Sequence, residues 1–335
     1  MKKVLKKILP SSFRKAYRSN KTSYRIFSDY FEDYRNYRKY SASLDLKSKE
    51  MIQAYLIKEY HAVEKGLALP IPRPGFGIER ITELISKLQM YIQTYGKDSI
   101  SDISVSTLQE YLAFDKKHNK ETSPLVPLIE NLIQAYNQSD LESVGGTLPM
   151  NRQDLLPLLD FDFDSFFKSR HSIRDFAEEP VDTKIILDTI DTAKYAPSVC
   201  NRQAWKVYVI EHDNYALKKA LLNVQNGNKG FGDKISSLIV VTGKLSSFFS
   251  YERYQVYIDG GMFAMSIVLG LHSKGLATCC LNTSYNSSMR EAFNNALKTD
   301  DDCVPIMFIA VGHLKDNYKV ANSKRRPLSE LVEVR

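Results

Sequence analysis

The chain has only four cysteines, and Cys200, Cys279, Cys280 and Cys303 fall at no metal-ligand spacing. Adjacent Cys279 and Cys280 are poorly placed to staple anything, so a disulfide scaffold is excluded and reduced thiols in a cytoplasmic protein are expected. The glycine fingerprint of dinucleotide folds is missing, as are a Walker loop, His-Glu-x-x-His and Gly-x-Ser-x-Gly. No nucleophile and base stand at a recognisable spacing, so no side chain is expected to act as the catalytic group. A chain without reactive groups of its own commonly takes its chemistry from a bound cofactor. No uninterrupted apolar run approaches the roughly 20 residues of a membrane span. The longest, from Met262 to Leu271, falls well short, and no apolar signal region follows the basic start.

Acidic residues are absent from one stretch altogether. Residues 1–28 hold nine cations, Lys2, Lys3, Lys6, Lys7, Arg14, Lys15, Arg18, Lys21 and Arg25, and no acid. The whole chain carries 46 basic and 39 acidic residues, a formal +7, so the remainder is close to neutral and the basic character belongs to this arm. A near-neutral body argues against nucleic acid as a partner. Val4, Leu5, Ile8 and Leu9 would share one helical face opposite the lysines, and Pro10 then breaks or restarts the helix. Several readings stand: the arm lies peripherally on an anionic membrane surface, touches a partner, packs on its own protein, or is a frayed basic terminus.

Helical spacing dominates the first half. Tyr24, Tyr30, Tyr34, Tyr37 and Tyr40, with Phe27 and Phe31, read as a core stripe. Further stripes are Ile52, Tyr55, Leu56 and Tyr60; Ile78, Ile81, Leu84, Ile85, Leu88 and Ile92; and Leu125, Leu128, Ile129, Leu132, Ile133 and Tyr136. With no strand-like alternation between them, residues 29–150 are expected to form an all-α domain. Its end is marked by Asn137-Gln138-Ser139 and a flexible stretch from Ser143 to Pro149. His61 and Glu64 read as a helix-surface pair, not a metal site. The Pro70–Gly77 loop reads as a stiff turn that could also reach a neighbouring site.

The second half, residues 160–335, alternates strands and helices. Arg170, Ser172 and Arg174 sit at alternate positions, so in an extended backbone two cations and a hydroxyl face one ligand. Guanidinium forks suit a flat, phosphate-tailed anion. A capped helix from Pro180-Val181-Asp182 follows, then Ala196-Pro197-Ser198-Val199-Cys200-Asn201-Arg202-Gln203-Ala204-Trp205 leading into a strand. Residues 253–274 form a long apolar helix with small residues Gly260, Gly261, Ala264 and Ser266.

The pairing of Arg-His-Ser-Ile-Arg-Asp-Phe with Ala-Pro-Ser-x-x-Asn-x-Gln-x-Trp resembles the flavin-dependent nitroreductase family, over roughly Phe166 to Val334. The resemblance implies an α+β nitroreductase-like fold: a mostly antiparallel sheet wrapped by helices, in an intertwined dimer built on the 253–274 helix. It also implies bound FMN, NAD(P)H as electron donor and a small-molecule electron acceptor. Carried over residue by residue, Arg170, His171 and Ser172 hold the ribityl-phosphate side, and Arg174 lies at the pyrimidine edge. Pro197, Ser198, Val199, Asn201 and Gln203 come from the partner subunit's ring loop. Asn228 bonds the ring, Asn282 and Thr283 offer a backbone N–H, and Lys324 and Arg325 grip the phosphate. Two departures stand out: Cys279-Cys280 where the family often has a small residue and Trp, and Arg202 beside the ring loop, a cation that would favour an acidic or phosphorylated substrate. The helical first half is similar to extensions on nitroreductase-like proteins linked to bacterial surface-polysaccharide synthesis. The expected function is therefore an FMN-dependent NAD(P)H oxidoreductase; the alternative is a non-catalytic flavoprotein in a membrane-associated glycan-assembly complex.

Overall fold

The computed structural model describes residues 11–42, 45–118, 123–136 and 144–335. The apolar face expected on Val4, Leu5, Ile8 and Leu9 lies outside them, as do Asn137-Gln138-Ser139. Among the described residues five helices come first: α1 (Ser11–Tyr40), α2 (Lys49–Leu67), α3 (Ile78–Tyr95), α4 (Ser99–Lys117) and α5 (Leu125–Tyr136). Their ends follow from local chemistry. The Ser48 hydroxyl caps α2 by accepting from Met51 N, and Asp98 with Ser101 forms a capping box on α4. The stripes read from the sequence converge in one core, with Leu56, Ile81, Leu84, Leu88, Leu108, Ile129 and the buried tyrosines Tyr91, Tyr111 and Tyr136. Each of those hydroxyls is satisfied, Tyr91 by Asp98, Tyr136 by Asp102 and Tyr111 by the Phe76 carbonyl. Burial pushes all three phenols above their ordinary range, so they stay neutral donors.

α1 departs from expectation. Its aromatic stripe is not core: Tyr24 is 74% exposed, Phe27 67% and Phe31 50%. The last turns dock, where Tyr37 and Tyr40 pack against Ala204, Leu245, Phe248, Val256 and Val304. Ala42 N donates to the Phe248 carbonyl, and Asp33 pairs with Arg290 at 2.8 Å. Helical spacing marks an apolar face but not what covers it. The stretch from Val144 to Pro149 also differs from its flexible reading, because backbone donors pin it to α2 and α4. Gly145 N donates to Ser106 Oγ, Gly146 N to Glu64 Oε1 and Thr147 N to Glu110 Oε2. A side chain on Gly145 would meet Thr107 and Ile103 at 2.5–2.7 Å, so the strap lies too close to α4 for any other residue.

The second half holds α6 (Phe163–Ser169), α7 (Thr183–Ala193), β1 (Trp205–Ile210), α8 (Tyr215–Val224), β2 (Ser237–Lys244), α9 (Gln255–Ser273), β3 (Leu276–Leu281), α10 (Ser287–Leu297) and β4 (Cys303–His313). The four strands form an antiparallel sheet in the order β1-β2-β4-β3. Alternate residues serve opposite faces. Ile239, Val241, Ile309 and Val311 meet α9 through Phe263, Ala264, Ile267 and Val268, whereas Leu238, Val240, Phe308 and Ala310 meet Leu221 and Phe293 on the other side. α9 is long and apolar enough, by length and composition, to cross a membrane, although no uninterrupted apolar run announced it. Its inner face is instead committed to this sheet. The small residues expected to serve another helix divide in two. Gly260 faces Ile306 and Ala264 is fully buried within the chain, while Gly261 opens onto free space.

Beyond β3, the segment 170–177 runs along the sheet edge. Ser172 bridges Thr278 in parallel, Ile173 N donates to the Thr278 carbonyl at 2.9 Å and Ala177 N to the His313 carbonyl at 3.0 Å. Phe176 is buried against Gly312, where an added Cβ would meet the ring and Cβ of Phe176 at 2.6–2.8 Å. Gly312→Ala is therefore expected to lower stability by about 1–3 kcal/mol through overpacking. Urea unfolding checks this, and a midpoint equal to the wild type's would show that the Phe176 contact yields freely.

Candidate active site

The edge segment's register decides which side chains are available. Ile173 and Phe176 turn into the core, which leaves Arg170, Ser172 and Arg174 outward, together with His171. The C-terminal segment crosses the same spot. Arg170, His171, Ser172 and Arg174 line a pocket of about 130 Å³ with Ala321, Ser323 and Arg325. Arg170 Nε is buried with no hydrogen-bond partner. Among the described residues no acid pairs with Arg170, Arg174 or Arg325; Arg174 reaches the Ser172 carbonyl and Arg325 the Ser323 carbonyl. Lys324 is exposed and does not line the pocket. Below it, Ser169 Oγ meets His272 Nε2 at 2.8 Å. Burial holds His272 below its ordinary pKa, and the neighbouring Arg170 and His171 push the same way. Cys279 is buried in the core and Cys280 faces out from the same strand. Burial pushes the Cys279 thiol up against the pull of Arg174, so it is an inert packing group.

The loop from Pro197 to Gln203 is not part of this pocket's wall. Cys200, Asn201 and Gln203 have φ of 49°, 52° and 48°, three non-glycine residues in the left-handed region within four positions. Such strain persists only where the surroundings over-determine it, and here they do. Val199 N donates to Asp259 Oδ2, from a carboxylate buried in α9 whose other oxygen accepts from Gln255. Gln203 N donates to Ser198 Oγ, and Gln203 Nε2 to Asn201. α2 packs against residues 199–201 from the other side.

Arg202 corrects the sequence reading. It is not a substrate-facing cation: it is 4% exposed, with Nη1 and Nη2 on the Glu252 carboxylate at 2.9 and 2.6 Å and Nη1 on the Ser247 carbonyl at 2.9 Å. Its guanidinium lies over the rings of Phe248 and Phe249 at 5.2 and 5.5 Å. A bulky cation next to Gln203 looked like a specificity determinant, but only tertiary structure supplies its partner fifty residues on.

Asn228 and Asn282 lie apart from the basic pocket and meet through residues the sequence reading missed. Buried Gln225 donates to the Asn282 carbonyl at 3.1 Å and accepts from Gly227 N and Asn228 Nδ2. Asn228 Nδ2 also donates to the Leu222 and Gln225 carbonyls, so its amide closes the end of α8. Asn282 Nδ2 donates to Asn226 Oδ1, and Thr283 Oγ1 donates to the Ile306 carbonyl. Asp259 and Glu252 were missed as well. A lone acid inside an apolar helix was the available signal for Asp259; nothing local marked Glu252. His61 and Glu64 pair at 2.9 Å, and Glu64 also anchors Gly146, while the Pro70–Gly77 loop is closed by Gly75 N on Asp115 and by Phe76 packed edge-on to Tyr111.

Residues 167–244 match the model of the Nitroreductase family. The chain is similar to the 4-nitrobenzoate reductase of Pseudomonas putida, 24% identical over 217 residues, which cover 51% of this chain and 93% of that protein. It is also similar to a protein assigned as an NAD(P)H nitroreductase in Streptococcus pyogenes, 25% identical over 199 residues, covering 50% and 96%. Among solved structures, one assigned as a nitroreductase in complex with FMN from Desulfovibrio desulfuricans covers 52% of this chain and 98% of its own, with 20% identity and a TM-score of 0.46. The sheet and its helices form the nitroreductase-like α+β fold, preceded by an additional helical region.

Removing one partner of the Arg202–Glu252 pair leaves a buried charge uncompensated. Glu252→Ala is expected to cost about 3–5 kcal/mol. Chemical denaturation reads this directly, and a loss below about 1 kcal/mol, the range of a surface pair, would mean that the guanidinium finds water instead.

Proposed function

We propose that this protein is an FMN-dependent oxidoreductase that takes electrons from NAD(P)H and reduces a small organic substrate, working as a homodimer. The observation that carries the reading is the basic pocket, above all the buried Arg170 Nε without a partner. A buried donor left unsatisfied is costly, and an anionic oxygen removes that cost through a charge-assisted bond. The residues present therefore fit the phosphate end of FMN. Arg170, Ser172 and Arg325 would hold that end, with His171 and Lys324 beside it, and Arg174 would stand at the pyrimidine edge. Bound FMN supplies the redox step, accepting hydride from NAD(P)H and passing electrons to the second substrate.

This chain's own residues bind, orient and hold charge. The three guanidiniums make a positive field that favours an anion, and Arg174 would favour negative charge on a flavin held there. A cavity of about 130 Å³ takes a phosphate group and not a ring system. The ring wall must come from elsewhere, and the strained 197–203 loop of a second copy is the wall that the family resemblance offers. Asp259 and Arg202 would then act as positioning residues, holding Pro197, Ser198, Val199, Asn201 and Gln203 in shape before the copies meet. The outward stripe of α9 supports self-association: Tyr257, Ile258 and Met262 are exposed around Gly261, which lets another backbone come close. Asn228, Asn282 and Thr283 belong to a second polar edge, tied together by Gln225 and Thr283's own bond to the sheet. The domain organisation that goes with this reading is an arm (1–28), a helical domain (29–150) and an FMN-binding domain (160–335).

The absorbance spectrum of the purified protein tests the function. A flavin spectrum that bleaches on adding NADH or NADPH is expected; flavin that stays oxidised would favour the non-catalytic alternative, and no flavin uptake at all would sink the cofactor assignment.

The two arginines should differ because their burial differs. Arg170→Ala is expected to weaken FMN binding by about 2–5 kcal/mol, the range for truncating a buried charge partner. For exposed Arg325, Arg325→Ala is expected to cost about 1 kcal/mol or less. Fluorescence titration of the flavin-free protein with FMN measures both, and the reverse order would place the phosphate nearer Arg325.

A further inference from the structure

The exposed face of α1 has a period that the fold does not use. Tyr17, Tyr24 and Phe31 are seven residues apart, and so are Phe27 and Tyr34, offset by three, so together they occupy the a and d positions of a heptad repeat. All five are half to three-quarters exposed. Phe27 stacks on Phe31 with centroids 6.0 Å apart, and Phe31 meets Tyr34 at 6.3 Å, so these three rings are continuous, and Tyr24 and Tyr17 extend the same side by the heptad spacing. From Tyr17 to Tyr34 the seam is about 27 Å long at 1.5 Å per residue. Among the described residues, the chain's own body meets the helix in its C-terminal turns, through Tyr37, Tyr40 and the Asp33–Arg290 pair. A 3.5-residue seam is the pattern that a second helix with the same repeat fills, knobs into holes.

We propose that this seam is occupied by α1 of a second copy of the chain, running antiparallel. Charge chooses the copy and its direction. Lys15, Arg18, Lys21 and Arg25 follow one another with no acid between them, and Asp29, Glu32 and Asp33 begin one turn later, Asp33 also holding Arg290. Parallel helices would set Asn20 against its own copy, but would also align four cations with the same four cations within a Debye length. Antiparallel helices instead lay residues 15–25, with four cations and no acid, over residues 26–36, with three acids and one cation, Arg35. The register is then fixed by the seam: Tyr24 of one copy meets Phe27 of the other, and Tyr17 meets Tyr34, each contact occurring twice as two-fold symmetry requires. This pairing does not depend on the redox reading. It extends self-association from the α9 stripe onto α1, whose Tyr34 lines one cleft with Tyr257.

Cysteine cross-linking in the full chain decides it, in a Cys280→Ser background that removes the exposed native thiol. Chains carrying Tyr17→Cys and chains carrying Tyr34→Cys, co-expressed, should give a covalent dimer on mild oxidation, and Tyr17→Cys chains alone should not. Equal cross-linking by Tyr17→Cys alone would overturn the antiparallel arrangement. No cross-link in the co-expressed pair, with circular dichroism unchanged, would overturn self-pairing altogether. A competing occupant, an anionic lipid surface, has its own signature. Phosphatidylglycerol vesicles that pellet the full chain but not a Phe27→Asp, Phe31→Asp variant, together with absent cross-linking, would assign the seam to lipid and overturn the proposal.

Discussion

The buried guanidinium of Arg202 is the junction on which the rest of this molecule depends. Taking a full charge out of water is tolerable only with an opposite charge and hydrogen bonds in good geometry, and Glu252, the Ser247 carbonyl and two aromatic faces supply them. Three separate pieces of chain meet there. The strained loop before β1 carries the arginine itself. The segment between β2 and α9 brings Glu252, Phe248 and Phe249, and that same segment receives the end of α1 through Tyr37 and Ala42. A single polar contact thus couples loop shape, sheet edge and helical region.

That coupling gives the helical first half a physical role. α2 lies against residues 199–201, and Lys58 of α2 sits 4.6 Å over the Phe249 ring. On the opposite side the buried Asp259 carboxylate holds Val199 N. The loop is clamped between an apolar core helix and the added helical layer, so its positive φ angles are sustained by packing on two sides. The strap at 144–147 keeps that layer closed, since Glu64 and Glu110 spend their oxygens on backbone donors that would otherwise lack partners.

The basic pocket is built on a different economy. Its backbone is fixed by a two-residue bridge to β3 and by Phe176 wedged at Gly312, and its charges are left without acids. Elsewhere the chain pairs its cations freely: Lys315 and Lys234 share Asp175 only one residue beyond Arg174. Among the described residues these guanidiniums have no acid while the neighbouring lysines do, and the proposed anion site rests on that contrast.

What the sequence by itself determined was whatever local periodicity and adjacent chemistry encode. Three helical stripes of the first half, the buried strands, and the grouping of Arg170, Ser172 and Arg174 on one side of an extended segment could all be read from spacing, because 3.6-residue and two-residue repeats fix faces without reference to the rest of the fold. Only the tertiary structure decided what each face meets. It turned the α1 aromatics from a core stripe into an exposed seam, since a helix anchored by its last turns leaves the others uncovered. It took Arg202 from the substrate's side to the interior, because Glu252 becomes its neighbour only when the sheet and the loop close together. It joined Arg325 to Arg170 across some 155 residues of chain, and it pinned a glycine stretch that composition marks as flexible. Partners distant in sequence leave no local trace, so which charges are buried, paired or left open is a property of the fold alone.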